Sequence, residues 1–294
     1  MLWATVHLPQ RVVECAAAVI VFFFFLGAAP VRKRSHLYLE HVGKLRNRRV
    51  SWLDVYRHIL SFALSMIEKI RGWTGKLSLS QVEFREDDVR ELLERLDAGK
   101  GAFIVCSHLG NMEAMRALAE SGKNRVARKF RVFPVVDFSG TKRFNALLRN
   151  LNPGLMDDCF DANSVGVETA VLMREKLESG NIVAIAGDRT SAHSLDRSFA
   201  IPFLGETANF PEGAFLLADL LKHPVYFIFA FRKKDLDIAS PYEFHVLRAK
   251  TELCGPKRDR MKNLAEEYVA HLERFCLEHP YQWYNFFNFW QKEN

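Results

Sequence analysis

Short apolar runs and amphipathic stretches take turns along most of this chain. The runs at residues 102–106, 132–136, 182–186, 225–231 and 244–247 are rich in Val, Ile, Leu and Phe, as strands buried on both faces are. A further apolar run, 199–204, follows a polar loop. Between the runs lie stretches with apolar residues at helical spacing. Residues 52–71 carry Trp52, Val55, Tyr56, Ile59, Leu60, Ala63, Met66, Ile67 and Ile70 at helical spacing, with Ser51 as a cap. The spacing and stop signals predict further helices at 85–98, 111–121, 141–149, 164–178, 211–221 and 257–277. Strands interleaved with helices predict an α/β fold, a mixed sheet flanked by helices. No internal repeat or low-complexity linker divides it.

Ahead of this pattern, residues 15–31 form the most hydrophobic run, including Phe22, Phe23, Phe24 and Phe25. Its length lies at the lower limit for crossing a bilayer and suits a tilted or half-inserted helix equally well. Arg32, Lys33, Arg34, Lys44, Arg46, Arg48 and Arg49 crowd the segment behind it, so the positive-inside rule keeps the rest of the chain cytoplasmic. A cleaved signal peptide is the competing reading, since Gly27, Ala28 and Ala29 offer small residues; against it, only Arg11 precedes the apolar run as a cation. The division expected is a membrane-anchoring helix with its basic segment over 1–50 and one catalytic domain over 51–294.

The chain has 294 residues, 49% hydrophobic and 26% charged, enough for a full core. Its formal net charge of +6 points to an anionic partner. Nucleic acid is not that partner, because no recognition motif or aromatic platform accompanies the cations, and the basic cluster fits lipid headgroups instead. Cys15, Cys106, Cys159, Cys254 and Cys276 lie far apart without metal-ligand spacing, which excludes a zinc site and fits a reducing compartment. Cys106 lies inside an apolar run and reads as an inert buried thiol.

The chemistry centres on Ser107-His108-Leu109-Gly110-Asn111-Met112-Glu113. His108 falls just after an apolar run, in an expected strand-to-helix turn, at the sheet edge where α/β proteins bind ligands. Glu113 stands five residues on and can reach back to one imidazole nitrogen, fixing the tautomer while the other nitrogen takes a proton. Asp188 and Arg189 follow the run 182–186 and so share that sheet edge. Arg189 offers a planar fork to a phosphate or carbonyl oxygen, and Asp188 can hold it. The backbone amides of the turn at Gly110 and Asn111 are further candidates for an oxyanion. Lys142 and Arg143 open a predicted helix and can meet a phosphate. For each of these groups a purely structural role stays open from the residues alone.

Taken together, the His108–Glu113 heptapeptide, Gly187-Asp188-Arg189, Pro202-Phe203-Leu204-Gly205, Phe210-Pro211-Glu212-Gly213 and the closing Gln282-Trp283-Tyr284-Asn285-Phe286-Phe287-Asn288-Phe289-Trp290 resemble the bacterial lipid A biosynthesis acyltransferase family. The nearest likeness is to a lysophospholipid-acyltransferase-like branch associated with aryl polyene synthesis. The resemblance implies a glycerolipid-acyltransferase-like fold. It implies transfer of a fatty acyl group from acyl carrier protein or coenzyme A to a hydroxyl of a lipid or glycolipid, at the cytoplasmic face of the inner membrane. His108 would be the base and Glu113 its partner, with Asp188 and Arg189 supporting substrate binding or charge stabilisation and no metal or cofactor needed; Asn111, Lys142 and Arg143 are substrate-binding candidates from their own positions. The loop 190–197 departs from the family's pattern. A thioester or ester hydrolase and a catalytically inactive lipid-binding protein are the rival readings.

Overall fold

A computed structural model describes residues 8–73, 82–84, 86–112, 126–137, 158–189, 197–252, 254–287 and 289–290. The predicted helix at 141–149, and that at 111–121 from Glu113 onward, lie outside them, and with them Glu113, Lys142 and Arg143. Three helices open the chain: α1 (Gln10–Gly27), α2 (Ala29–Leu45) and α3 (Trp52–Trp73). After them come β1 (Val82–Phe84), α4 (Glu86–Asp97), β2 (Ala102–Gly110), β3 (Val132–Val136), β4 (Phe160–Asp161), α5 (Val167–Glu178) and β5 (Ile182–Ala186). The chain continues through β6 (Ser198–Phe203), β7 (Glu206–Pro211), α6 (Gly213–Leu221), β8 (Val225–Arg232), β9 (Tyr242–Arg248) and α7 (Lys257–Glu278).

Seven strands make one sheet in the order β1-β9-β8-β2-β5-β3-β4, parallel throughout except for the β8–β9 pair. A mixed sheet flanked by helices is what the alternating runs predicted. β2 is central, and its residues divide between the two faces with period two. Phe103 and Val105 join Val183, Phe227, Phe229, Tyr268, Leu272 and Phe275 in the larger core, while Ala102, Ile104 and Cys106 join Ala184, Ile228, Leu92 and Leu96 on the opposite face. That is why the strand reads as an unbroken apolar run: neither face meets water.

Three differences from the sequence expectation have local causes. The apolar run is not one helix ending at residue 31: α1 ends at Gly27, Ala28 breaks it, and Pro30 in the first turn starts α2. The basic segment is itself largely helical, because Tyr38, Leu39 and Val42 occupy one side of α2 and join the main core. The predicted helix at 211–221 begins later, since residues 206–211 pair as β7 with β6 in a separate hairpin, closed by Leu204 and Gly205 at positive φ.

Helix α1 rests on α3 through one stripe. Val13, Ala17 and Val21 are buried at four-residue spacing, the Tyr56 hydroxyl donates to the Ala18 carbonyl at 2.8 Å, and Phe25 packs on Tyr56 and Trp52. The remaining face exposes Val12, Val19, Ile20, Phe23, Phe24 and Leu26. Among the described residues α1 is the one helix long and apolar enough to cross a membrane. The Arg32 guanidinium closes its C-terminal end on the carbonyls of Phe25 and Leu26.

His58 ties the N-terminal helices to the closing segment. Its Nε2 faces the Trp283 carbonyl at 2.8 Å and its Nδ1 faces the Ser35 hydroxyl at 2.8 Å. A carbonyl only accepts, so the ring proton sits on Nε2 and the serine donates to Nδ1. Burial pulls the His58 pKa down from 6.5 to about 4. The folded state therefore refuses a proton that the unfolded chain takes below pH 6.5. Its stabilising contribution is whole above that pH and is lost as pH falls toward 4, worth about 3 kcal/mol in all. Urea unfolding at pH 7, 5.5 and 4.5 should show this loss, and His58→Asn should flatten it; an unchanged slope in that variant would exclude His58 as the source.

Candidate functional site

The site begins where β2 leaves its regular ladder. Cys106 aligns with Ile228 and Gly110 with Ala230, so β2 spends four residues where β8 spends two. The surplus bows out Ser107, His108 and Leu109, and such bulges re-aim side chains at strand ends. Gly110 closes the bulge at φ +75°, and a Cβ there would stand 2.0 Å from the Ala230 carbonyl oxygen, so no side chain fits. His108 thus lies within a bulged strand instead of the expected strand-to-helix turn.

A residue lifted out of a ladder must bond its backbone elsewhere. The His108 N–H donates to Asp188 Oδ2 at 2.7 Å, and its carbonyl accepts from the Tyr284 N–H at 3.2 Å. Its imidazole Nδ1 lies 2.7 Å from Asp188 Oδ1. The Trp283 indole N–H also donates to Asp188 Oδ2, at 2.9 Å. One carboxylate therefore holds the backbone and ring of His108 and anchors the closing segment.

Neighbouring strands deliver these groups. Asp188 follows β5 through Gly187, whose N–H donates to the Cys106 carbonyl at 2.9 Å and whose missing Cβ would stand 2.7 Å from Val105. Only glycine lets the turn pass so close to β2. Trp283 is fully buried, with the rings of Tyr38, Phe203 and Phe289 edge-on to it at 5.0–5.3 Å between centroids. Gln282 extends β8: its amide oxygen accepts from the Arg232 N–H at 2.9 Å and its amide nitrogen donates to the Arg232 carbonyl at 2.7 Å.

Asp188 is 1% exposed, and burial by itself would raise its pKa; the charges of His108 and Arg189 and the hydrogen bonds from His108 and Trp283 outweigh that and hold it lowered. His108 is pulled below its usual value by burial first and by the Arg189 charge next, against the opposing pull of Asp188. The imidazole is then neutral near pH 7 with its proton on Nδ1, facing the carboxylate. The side chain is 26% exposed, and Nε2 has no protein hydrogen bond among the described residues. This arrangement can accept a proton from a hydroxyl at Nε2 while the buried carboxylate stabilises the imidazolium that forms.

Other groups fall into place around it. Arg189 comes to the same site, its guanidinium donating to the Tyr284 carbonyl. Asn111 is buried, its side-chain amide facing the Tyr242 hydroxyl at 3.3 Å. The two backbone amides that the sequence offers to an oxyanion are occupied: Gly110 N–H donates to the Gln282 carbonyl at 2.8 Å and Asn111 N–H to the Ala230 carbonyl at 2.7 Å. The Ser107 hydroxyl is buried and accepts the Leu109 N–H at 3.2 Å, and the Cys106 thiol faces the Ile185 carbonyl at 3.2 Å. Neither is placed as a nucleophile.

The sequence drew Asp188 to the correct sheet edge but coupled it to Arg189, leaving the His108 contact unseen. It found no role for Trp283, Tyr284 or Gln282; the one signal was polar residues set within an aromatic C-terminal run.

The family model for bacterial lipid A biosynthesis acyltransferases matches residues 55–292, most of the chain. The chain belongs to this family. It is accordingly a lipid acyltransferase by family, and the matched region takes in β2, the Gly187–Asp188 turn and the closing aromatic segment. No individual curated protein matches it significantly. Helices α1 and α2 precede the matched region, although α2 packs into the core of this family member.

Histidine titration by NMR checks the electrostatics. Asp188→Asn should lower the His108 pKa further, because the carboxylate holds it up, whereas Arg189→Gln should raise it. A rise in the first variant or a fall in the second would overturn the assignment of their roles.

Proposed function

We propose that the chain moves a fatty acyl group from an acyl carrier protein or coenzyme A thioester to a hydroxyl of a lipid or glycolipid, at the cytoplasmic face of the inner membrane. The observation that carries this reading is the His108 imidazole held at Nδ1 by Asp188 with Nε2 unbonded among the described residues, in a chain of a lipid acyltransferase family. In the proposed reaction Nε2 takes the proton of the acceptor hydroxyl as its oxygen attacks the thioester carbonyl carbon. The tetrahedral intermediate collapses with expulsion of the thiolate, which recovers the proton from the imidazolium. No acyl-enzyme is formed.

Asp188 takes the orienting role within this proposal. Glu113 remains the second carboxylate of the His108 motif, and Asn111, Lys142, Arg143 and Arg189 are assigned to substrate binding. Arg189 is the candidate for the developing oxyanion, a task that a delocalised cation suits. The resemblance to the aryl-polyene branch favours acyl carrier protein as donor.

Membrane attachment is assigned to α1. Its outward Phe and Val side chains would enter the bilayer while Arg32, Lys33, Arg34, Arg46 and Arg49 meet anionic headgroups. Residues 1–50 would thus seat a catalytic domain of residues 51–294 on the membrane surface.

Transfer assays with both thioesters and a lipid acceptor test the chemistry. His108→Ala should lose about 10³-fold or more in kcat with its fold retained, and near-normal transfer by that variant would refute the proposal. Asp188→Asn should fall by a comparable order, and Glu113→Gln should lose less than His108→Ala. Thioester cleavage at full rate without acceptor would favour a hydrolase instead. For the membrane assignment, Phe23→Glu with Phe24→Glu should weaken flotation with anionic vesicles by at least about tenfold; undiminished binding would move the anchor elsewhere.

A further inference from the structure

Asn285 is 2% exposed, and among the described residues neither end of its carboxamide has a hydrogen-bond partner. A primary amide carries two N–H donors and a carbonyl acceptor, and a fold rarely buries both ends unpaired because each must be stripped of water. The hydroxyls, indole and amides nearby show the usual behaviour. The Tyr284 hydroxyl bonds Ser61 at 3.0 Å, the Trp283 indole bonds Asp188 at 2.9 Å, and the Gln282 amide bonds Arg232 at both ends.

The position of Asn285 tells what the amide serves. Its N–H donates to the Trp283 carbonyl at 2.9 Å, closing a tight turn around Tyr284. The Tyr284 N–H holds the His108 carbonyl at 3.2 Å, and the Tyr284 carbonyl, in the peptide that leads into Asn285, holds the Arg189 guanidinium. The unpaired amide is therefore rooted on the peptide that borders both His108 and Arg189.

We infer that Asn285 contacts substrate in the His108 site and reads a vicinal diol of the acceptor headgroup, as a glycerol or a sugar presents it. This rests on the acyl-transfer reading above for the identity of the reacting hydroxyl. The amide nitrogen donates to the reacting oxygen, leaving that oxygen's proton directed at His108 Nε2. The amide oxygen accepts from the neighbouring hydroxyl. A thioester carbonyl or a phosphodiester has no proton to give and would satisfy one end of the amide only. A diol satisfies both.

The test uses the full chain in a polyoxyethylene detergent, with monododecanoylglycerol, dodecyl glucoside and dodecylphosphocholine as probes. At least one diol probe should raise the wild-type melting temperature by a few degrees, and the phosphocholine should not; which diol acts distinguishes a glycerolipid from a glycolipid acceptor. Asn285→Leu removes the amide at similar volume. It should melt at or above the wild-type temperature without probe and lose the diol shift. Its transfer should fall by about tenfold or more, carried by the KM for the acceptor and not by that for the thioester. Should that variant fail to fold, Asn285→Ala reads the same quantities.

The inference is overturned if no diol stabilises the wild type, or if the variant keeps the diol shift. It is also overturned if the variant keeps normal transfer, melts lower while keeping transfer, or raises only the thioester KM. Diol stabilisation that depends on Asn285, without acyl transfer from either thioester, would remove the acyl-transfer reading and leave this contact standing. Transfer unchanged in the variant would do the reverse.

Discussion

The architecture around the site depends on one buried carboxylate. Asp188 accepts from the His108 backbone and from the Trp283 indole, and faces the His108 ring, with distances of 2.7–2.9 Å. A carboxylate withdrawn from water is tolerable only when its oxygens are satisfied in this way. The requirement runs in both directions. The bulge in β2 needs an acceptor for the N–H it takes out of the ladder, and the closing segment needs one for its indole. A single side chain at the end of β5 meets both needs and leaves the second imidazole nitrogen unbonded among the described residues.

A second buried charge secures the segment that carries Trp283. The Arg232 guanidinium lies 2.6 Å from Glu68 and 2.6 Å from the Ser61 hydroxyl, both on α3, and 3.1 Å from the Tyr284 hydroxyl. The pair is 1% and 5% exposed, so the Glu68 charge and other partners raise the arginine's pKa although burial alone would lower it. Buried ion pairs of this kind add little net stability over apolar packing, but removing one partner strands a charge. Their service here is positional. Helix α3, the end of β8 and residues 282–284 are locked in one relation, and His58 adds α2 to the same lock.

Much of this was legible from residue order alone. Runs at 132–136 and 182–186 correspond to β3 and β5 residue for residue, because strands buried on both faces leave no polar interruption to blur their limits. The amphipathic stripe of 52–71 became α3, and the run before His108 became the central strand. In the basic segment the apolar side of α2 is interleaved with cations, which masks its helical spacing. The short edge strands β1 and β4 and the strand β7, which ends in Pro211, offered too few alternating positions to announce themselves.

The sequence by itself determined the class of fold and the sheet edge that His108 and Asp188 share. Those features are written in local periodicity and in residues a few positions apart. Tertiary structure alone decided which carboxylate faces His108 Nδ1, because Asp188 stands 80 positions away and reaches it only once β5 lies beside β2. It also decided that the Gly110 and Asn111 amides serve the fold, and that Trp283 and Tyr284 border the site. Pairing between distant segments is set by register and packing, and spacing along the chain carries no record of it.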